Sequence, residues 1–272
     1  MCSPFSARCW LALLALMSIG CKSGSNAGRG AAAGGQERSV SVAAAADLRF
    51  AFEEVSAEFR KSHSGIRISV TYGSSGSFFA QLLNHAPFDL FLSADAEYPR
   101  KLAEAGLTVA GSEFVYGIGR IAVWVPAGSV IDVERIGMGT LAHLSVTHIA
   151  IANPRHAPYG RAAAAAMKSF GIYEAAAPKL VFGENAAQAL QFVESGNAQV
   201  GIVALALALA PPVRGLGRYW EVPGDRYQRL EQGGVILRWV KDKDAATALR
   251  AFLMGPSGRP VLARYGFLPP GD

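Results

Sequence analysis

Cysteine is scarce: the chain of 272 residues has three, and two of them, Cys2 and Cys9, fall within the first ten positions. Only Cys21 follows, which excludes a framework of internal disulfides. Charge is sparse as well, at 17%, and the Lys and Arg are scattered, so a net charge of +5 calls for neither nucleic acid nor anionic lipid. No apolar run reaches the ~18 residues that a membrane span requires; the longest, Cys9 to Gly20, is too short. His63, His85, His143, His148 and His156 lack metal-ligand spacing and read as solvated or capping residues. Gly73-Ser-Ser-Gly-Ser77 is neither the Gly-x-Ser-x-Gly elbow of hydrolases nor a phosphate-binding P-loop, which needs a lysine. With 51% apolar residues, and 30 Gly and 14 Pro without a period, the chain is neither disordered nor collagen-like.

What is present begins with a leader. Arg8 is the only charge before Lys22, and an apolar stretch from Trp10 ends in small residues at Ser18-Ile-Gly-Cys21. A basic residue, about a dozen apolar ones and then small residues make the layout of a secretory signal over 1–20. The ending resembles the bacterial lipoprotein box, in which the cysteine is lipidated and becomes the first mature residue; simple secretion, with Cys21 discarded, is the alternative. Loss of Arg8 takes the net charge from +5 to +4. Residues 21–38, rich in Gly, Ser and Ala, read as a flexible tether. A membrane contact through lipid on Cys21 alone follows, since more than one acyl chain anchors stably.

Beyond Ser39, strand and helix patterns alternate. Val40 to Ala45 is a short buried strand, and Leu48, Phe52, Val55 and Phe59 recur at helical spacing as core. Strands are expected at 66–72, 89–93, 118–125, 148–152, 179–182, 199–203 and 235–240. Helices are expected at 76–83, 97–105, 161–170, 186–194 and 245–254, with a last short one closing the chain. This alternation builds mostly parallel sheets flanked by helices, and its length suits two lobes. No internal repeat is visible.

Four strand-to-helix junctions share one chemistry: Ala44-Ala-Ala-Asp-Leu48, Tyr72-Gly-Ser-Ser-Gly-Ser77, His156-Ala-Pro-Tyr-Gly160 and Phe182-Gly-Glu-Asn-Ala186. Each opens a helix with small or hydroxyl-bearing residues, whose first N–H groups have no partner inside the helix and attract anions. Ligands of open parallel sheets collect at such strand ends. The junctions are poor in Lys and Arg, though Arg155 and Arg161 flank one of them. Neutral donors would hold a fully ionised tetrahedral anion and reject a protonated one, with hydrogen bonds to charge worth about 1.5–3 kcal/mol each.

Those junctions, together with Ala86-Pro-Phe-Asp-Leu-Phe-Leu-Ser-Ala-Asp95, Ala152-Asn-Pro-Arg-His-Ala-Pro-Tyr-Gly160, Gly201-Ile-Val203 and Arg264-Tyr-Gly-Phe267, resemble the molybdate-binding proteins of ABC importers from about Val40 to Phe267. The resemblance implies an α/β, two-lobed periplasmic-binding-protein fold of type II, with lobe one at 39–118 and 235–272 and lobe two at 119–234. It implies a ligand in the inter-lobe cleft, closure about Tyr116–Gly119 and Gly233–Val235, and no enzymatic activity or cofactor. Its expected partners are molybdate or tungstate and a permease with its ATPase, met as a lipid-anchored monomer outside the cytoplasmic membrane. Carried over by position, the anion-binding residues are Asp47, Ser75 (Oγ and N–H), Tyr159 and Ala186 (N–H), with Ala46, Ser74, Asn185 and Ala204 beside them. Ala204 stands where some members carry a tyrosine, and Tyr159 where those members have a small residue, so the phenol is expected from the other loop. Asp47 replaces a serine of some members, and a carboxylate beside a dianion is repelled. Its side chain is therefore expected to cap its own helix, accepting from the N–H of Arg49 or Phe50, with its backbone N–H toward the anion. Asp95 is expected to cap the next helix. Phosphate or sulfate binding is the alternative that Asp47 keeps open. A secreted hydrolase using Ser75 lacks a patterned base, and a non-transporting relative remains a third reading.

Overall fold

The first sheet forms around strand β1 (Arg38–Ala45), whose apolar run is shielded on both faces, as central parallel strands require. It pairs in parallel with β2 (Ile66–Gly73) and β3 (Leu90–Ser93). Strand β4 (Phe114–Gly119) ends the first pass through this lobe, and β5 (Ile121–Pro126) begins the second lobe after a single intervening residue, Arg120. There β6 (Ile149–Ala152), β7 (Leu180–Gly183), β8 (Val200–Ala204) and β9 (Gly217–Glu221) complete a second sheet. The chain then returns as β10 (Leu230–Ile236). This computed structural model describes residues 38–271, so the leader, Cys21 and the tether up to residue 37 lie outside the described residues.

The two sheets have the same plan, in spatial order β2-β1-β3-β10-β4 and β7-β6-β8-β5-β9. In each, four strands run one way and one, β10 or β5, runs against them. The reversed strand is in both cases the one delivered by the chain arriving from the other lobe. The fold is thus the expected two-lobed α/β architecture, with three differences in its joints. The single strand expected over 118–125 is two, because Arg120 turns the chain from one sheet into the other. Strand β9 had no expectation at all. The return strand begins at Leu230 rather than 235, so residues 230–234, like Gly119, are strand residues of the first sheet. The chain crossings accordingly lie at Arg120 and across residues 222–229.

Helices cover the sheets. In the first lobe these are α1 (Arg49–Ser62), α2 (Ser75–Leu83) and α3 (Glu97–Glu104). In the second they are the short α4 (Val133–Ile136), α5 (Pro158–Ser169), the short α6 (Tyr173–Ala176), α7 (Ala186–Glu194) and the four-residue α8 (Leu205–Ala208). After β10, α9 (Lys243–Met254) and α10 (Gly258–Arg264) pack back on lobe one. Leu48, Phe52, Val55 and Phe59, the stripe read from the sequence, are fully buried, each adding roughly 1.5–3 kcal/mol. Among the described residues no helix is long and apolar enough to cross a membrane.

Candidate functional site

Each of the four junctions lies at the carboxyl end of a parallel strand: β1, β2, β6 and β7. The chain leaves β1 through a tight 3-10 turn, Ala46–Leu48, in which Asp47 is 1% exposed. The expected cap does not form. The turn itself satisfies the N–H of Arg49, which donates to the Ala46 carbonyl, so the carboxylate is not needed there and turns toward lobe two. Its Oδ2 accepts from the Tyr159 hydroxyl at 3.0 Å, and its Oδ1 is buried without a partner. Burial pushes the Asp47 carboxyl up to about 7, against the opposing pull of the Tyr159 phenol and of the N–H groups of Asp47 and Leu48. Burial and the neighbouring Asp47 in turn raise the Tyr159 phenol well above its ordinary range.

Ser75 is the first residue of α2, and its buried Oγ accepts from the Ala94 N–H at 2.9 Å. That bond fixes the rotamer and leaves the hydroxyl proton free to donate. Ser74, expected beside the ligand, instead donates to the His156 carbonyl at 2.7 Å and touches His156 Nδ1 at 2.9 Å. The Gly76 N–H donates to the same carbonyl at 2.9 Å. A Cβ on Gly76 would sit 2.6 Å from that oxygen, so a side chain would hold the lobes apart.

Pro158 opens α5 with a pre-set φ, and Tyr159 follows with its ring buried. Behind the phenol lies a residue that the sequence reading missed. Gln232 is fully buried, donates from Nε2 to the Tyr159 oxygen at 3.4 Å and lies 3.1 Å from the Tyr116 hydroxyl through Oε1. The register of β10 shifts between Gln232 and Gly233, and such a bulge re-aims a side chain. The paired glycines after Gln232 were the available clue.

Ala186 is the buried first residue of α7, with its N–H at the helix start. Asn185 caps that helix, its side chain accepting from the Gln188 N–H at 3.1 Å. Ala46 is buried in the Asp47 turn, and Ala204 ends β8 with no hydroxyl to offer.

These segments close a ring. The Asp47 turn touches α5 through Tyr159, and the residues before α5 touch α2 through His156. Ser77 on α2 donates to Glu184, just before α7, at 3.0 Å, and α7 packs against the Ala46–Leu48 turn. At the rim Asp95 stands one residue ahead of Ala96, the cap position of α3 where Asp95 was expected; it accepts from the Glu97 N–H and pairs with Arg161 across the cleft at 2.6 Å. The side-chain partners of Asp47, Ser75 and Tyr159 are thus a phenol, a backbone amide and a carboxamide, none cationic. A cleft of about 520 Å³ borders the ring, lined by Ala46, Arg49 and Tyr72 from one lobe and Asn185 and Gln188 from the other. Among the described residues no group of three or more His, Cys, Asp or Glu could hold a metal ion. What the ring can do is present helix N–H groups from both lobes, with the Ser75 hydroxyl, to a small anion.

Residues 40–268 match the family model described as bacterial extracellular solute-binding protein. The chain is 39% identical over 232 residues to the molybdate-binding protein ModA of Azotobacter vinelandii, covering 85% of this chain and 90% of that one. It is 36% identical over 229 residues to ModA of Rhodobacter capsulatus, covering 84% and 88%. The solved periplasmic molybdate-binding protein of Azotobacter vinelandii superposes with a TM-score of 0.78 at 31% identity, covering 85% of this chain and 99% of that one.

Proposed function

Because the chain belongs to the bacterial extracellular solute-binding proteins, we propose that it captures molybdate, and also tungstate, and delivers the anion to an ABC importer. The observation that carries this reading is the ring of four helix starts drawn from both lobes, with no cation bonded to Asp47, Ser75 or Tyr159. Ser75 Oγ, the N–H groups of Ser75, Tyr159 and Ala186, and the backbone of the Asp47 turn are its donors. Contacts from both lobes favour the closed state when the anion is present. No covalent chemistry is assigned to the site, and the binding unit is a monomer.

The experiment is a melting curve across a panel of tetrahedral anions. A ligand at a hundred times its Kd stabilises by about 2.7 kcal/mol, which for a chain of this size raises Tm by about 5–10 °C. Molybdate and tungstate are expected to give that shift at concentrations where sulfate and phosphate give none. The direction of the Asp47 carboxylate favours one second reading, a ligand such as hydrogen phosphate that brings its own proton. A preference for phosphate that disappears in Asp47→Asn would establish that reading and end the first.

Ahead of the described residues, Cys21 would carry the lipid that anchors the protein to a bacterial membrane outside the cytoplasm, with the stretch from there to the start of β1 as tether. Cys21→Ala is expected to move the protein from the membrane fraction to the soluble one; retention in the membrane fraction would rule out the anchor.

A further inference from the structure

A scheme of neutral donors leaves the Asp47 side chain without a role, yet the residue is 1% exposed and its carboxyl bonds across to the Tyr159 segment of the ring. Oδ2 already takes the single proton of the Tyr159 hydroxyl, and Oδ1 has no partner. Several groups face this pair. Tyr159 comes from α5, with Tyr116 of β4 and Gln232 of β10 behind it. Arg49 and Glu53 of α1, Tyr72 of β2 and Glu194 of α7 line the neighbouring cleft. Arg49, Glu53 and Glu194 are exposed, and α8 presents only Leu and Ala. Nothing hydrogen-bonded to Asp47 is positive: only the Tyr159 phenol and the N–H groups of Asp47 and Leu48 oppose the cost of burying its charge.

Counting protons gives the consequence. With Asp47 ionised, the Tyr159 proton is committed to the carboxylate, and an arriving dianion meets the bare Oδ1 and the lone pairs of the phenol. One added proton reverses this. The carboxyl and phenol then hold two protons between them, one bridging the pair and one free to reach the anion. We propose that Asp47 is a specificity-determining proton site: a fully ionised oxyanion enters together with one proton from solvent, which the Asp47–Tyr159 pair holds in the complex and presents as a donor. The inference rests on the oxyanion-binding reading above. Burial, which lifts the carboxyl to about 7, makes that proton accessible near neutrality.

The test is calorimetric titration with molybdate at pH 6 and 8.5, in amine buffers of differing ionisation enthalpy. Wild type is expected to take up about one proton per anion at pH 8.5 and few at pH 6, with Kd rising about tenfold per pH unit above about 7. Asp47→Asn is expected to bind with no proton uptake and a flat pH profile. Molybdate binding without proton uptake at pH 8.5, or an unchanged slope in Asp47→Asn, overturns the proposal and leaves the function standing. Absence of molybdate binding at both pH values overturns the function reading and this inference with it. Should Asp47→Asn fail to give a cooperative melt, the wild-type proton count decides alone.

Discussion

Raising the pH from 4 to 8 without ligand should lower the stability of the wild-type protein, and Asp47→Asn should abolish most of that fall. The Asp47 carboxyl goes from 3.8 when exposed to about 7 when folded. Between those values the folded chain binds more protons than the unfolded one, so stability declines as pH rises through the window and stays low above it. Below the lower value both states are protonated and the effect is absent. The full fall is at most about 4 kcal/mol, because a shift of one pH unit is worth about 1.4 kcal/mol and the group is fully buried. Glu194, an exposed residue whose carboxyl is partly desolvated at the cleft wall and so raised, adds in the same direction. Asp242, held at about 2 by its hydrogen bond to Arg38, acts oppositely and only in acid, where stability is lost as pH falls below the usual carboxylate range. An asparagine amide in the Oδ1 position carries a cost of its own, about 1–3 kcal/mol if unpaired, but that cost is the same at every pH. Urea midpoints for both proteins from pH 4 to 8 check the expectation. Parallel profiles would show that the buried carboxyl does not hold its proton in the folded state.

Gly160→Ala is the second change with a large expected effect. A Cβ at this position would lie 2.1 Å from the Ala152 carbonyl oxygen, 2.8 Å from its carbon and 2.8 Å from the Pro154 nitrogen. All three atoms are backbone, so no flexible side chain can yield, and α5 must lift from the end of β6. Overpacking costs typically 1–3 kcal/mol, and a clash against rigid backbone belongs at the upper end, about 3 kcal/mol. Tyr159 immediately precedes the clash, so its hydroxyl and N–H shift together. Losing a hydrogen bond to a charged acceptor costs about 1.5–3 kcal/mol, a tenfold to hundredfold loss in anion affinity. Gly128, with open space around its Cβ position, is the control: Gly128→Ala should change neither property. Unfolding midpoints and molybdate titrations of both variants measure the contrast, and equal behaviour would mean that α5 is not seated as described.

How much of this was readable beforehand depends on burial. Strands β1, β3, β6 and β8 are covered on both faces and show themselves as apolar runs, while β2 alternates as a half-buried strand does. Strand β9, Gly217–Glu221, is half-buried throughout and reads Gly-Arg-Tyr-Trp-Glu, with neither a run nor an alternation. Strands β4 and β5 merge in sequence because one arginine is too little punctuation between two apolar stretches. Strand β10 opens with Leu-Glu-Gln-Gly-Gly, in which local preference opposes the pairing that tertiary contacts impose. At the site the same division holds. Of the residues that the sequence singles out, Asp47 and Tyr159 lie in contact, and Ser75 and Ala186 open α2 and α7, as helix starts at strand ends predict. The direction of the Asp47 side chain was not readable, since it depends on which acceptor takes the Arg49 N–H. Nor was Gln232, whose place depends on a bulge.

The strand order has a consequence for how the polypeptide is completed as it emerges from residue 38 onward. Strand β4 borders only β10 within its sheet, and β10 is made after the whole of the second lobe. A chain released at residue 229 therefore owns every strand of the second sheet, while the first stands as a three-stranded fragment with β4 detached and the Tyr116–Gln232–Tyr159 relay missing its middle member. The later-born half can finish ahead of the earlier-born one, and the buried support behind Tyr159 is among the last parts of the molecule to exist.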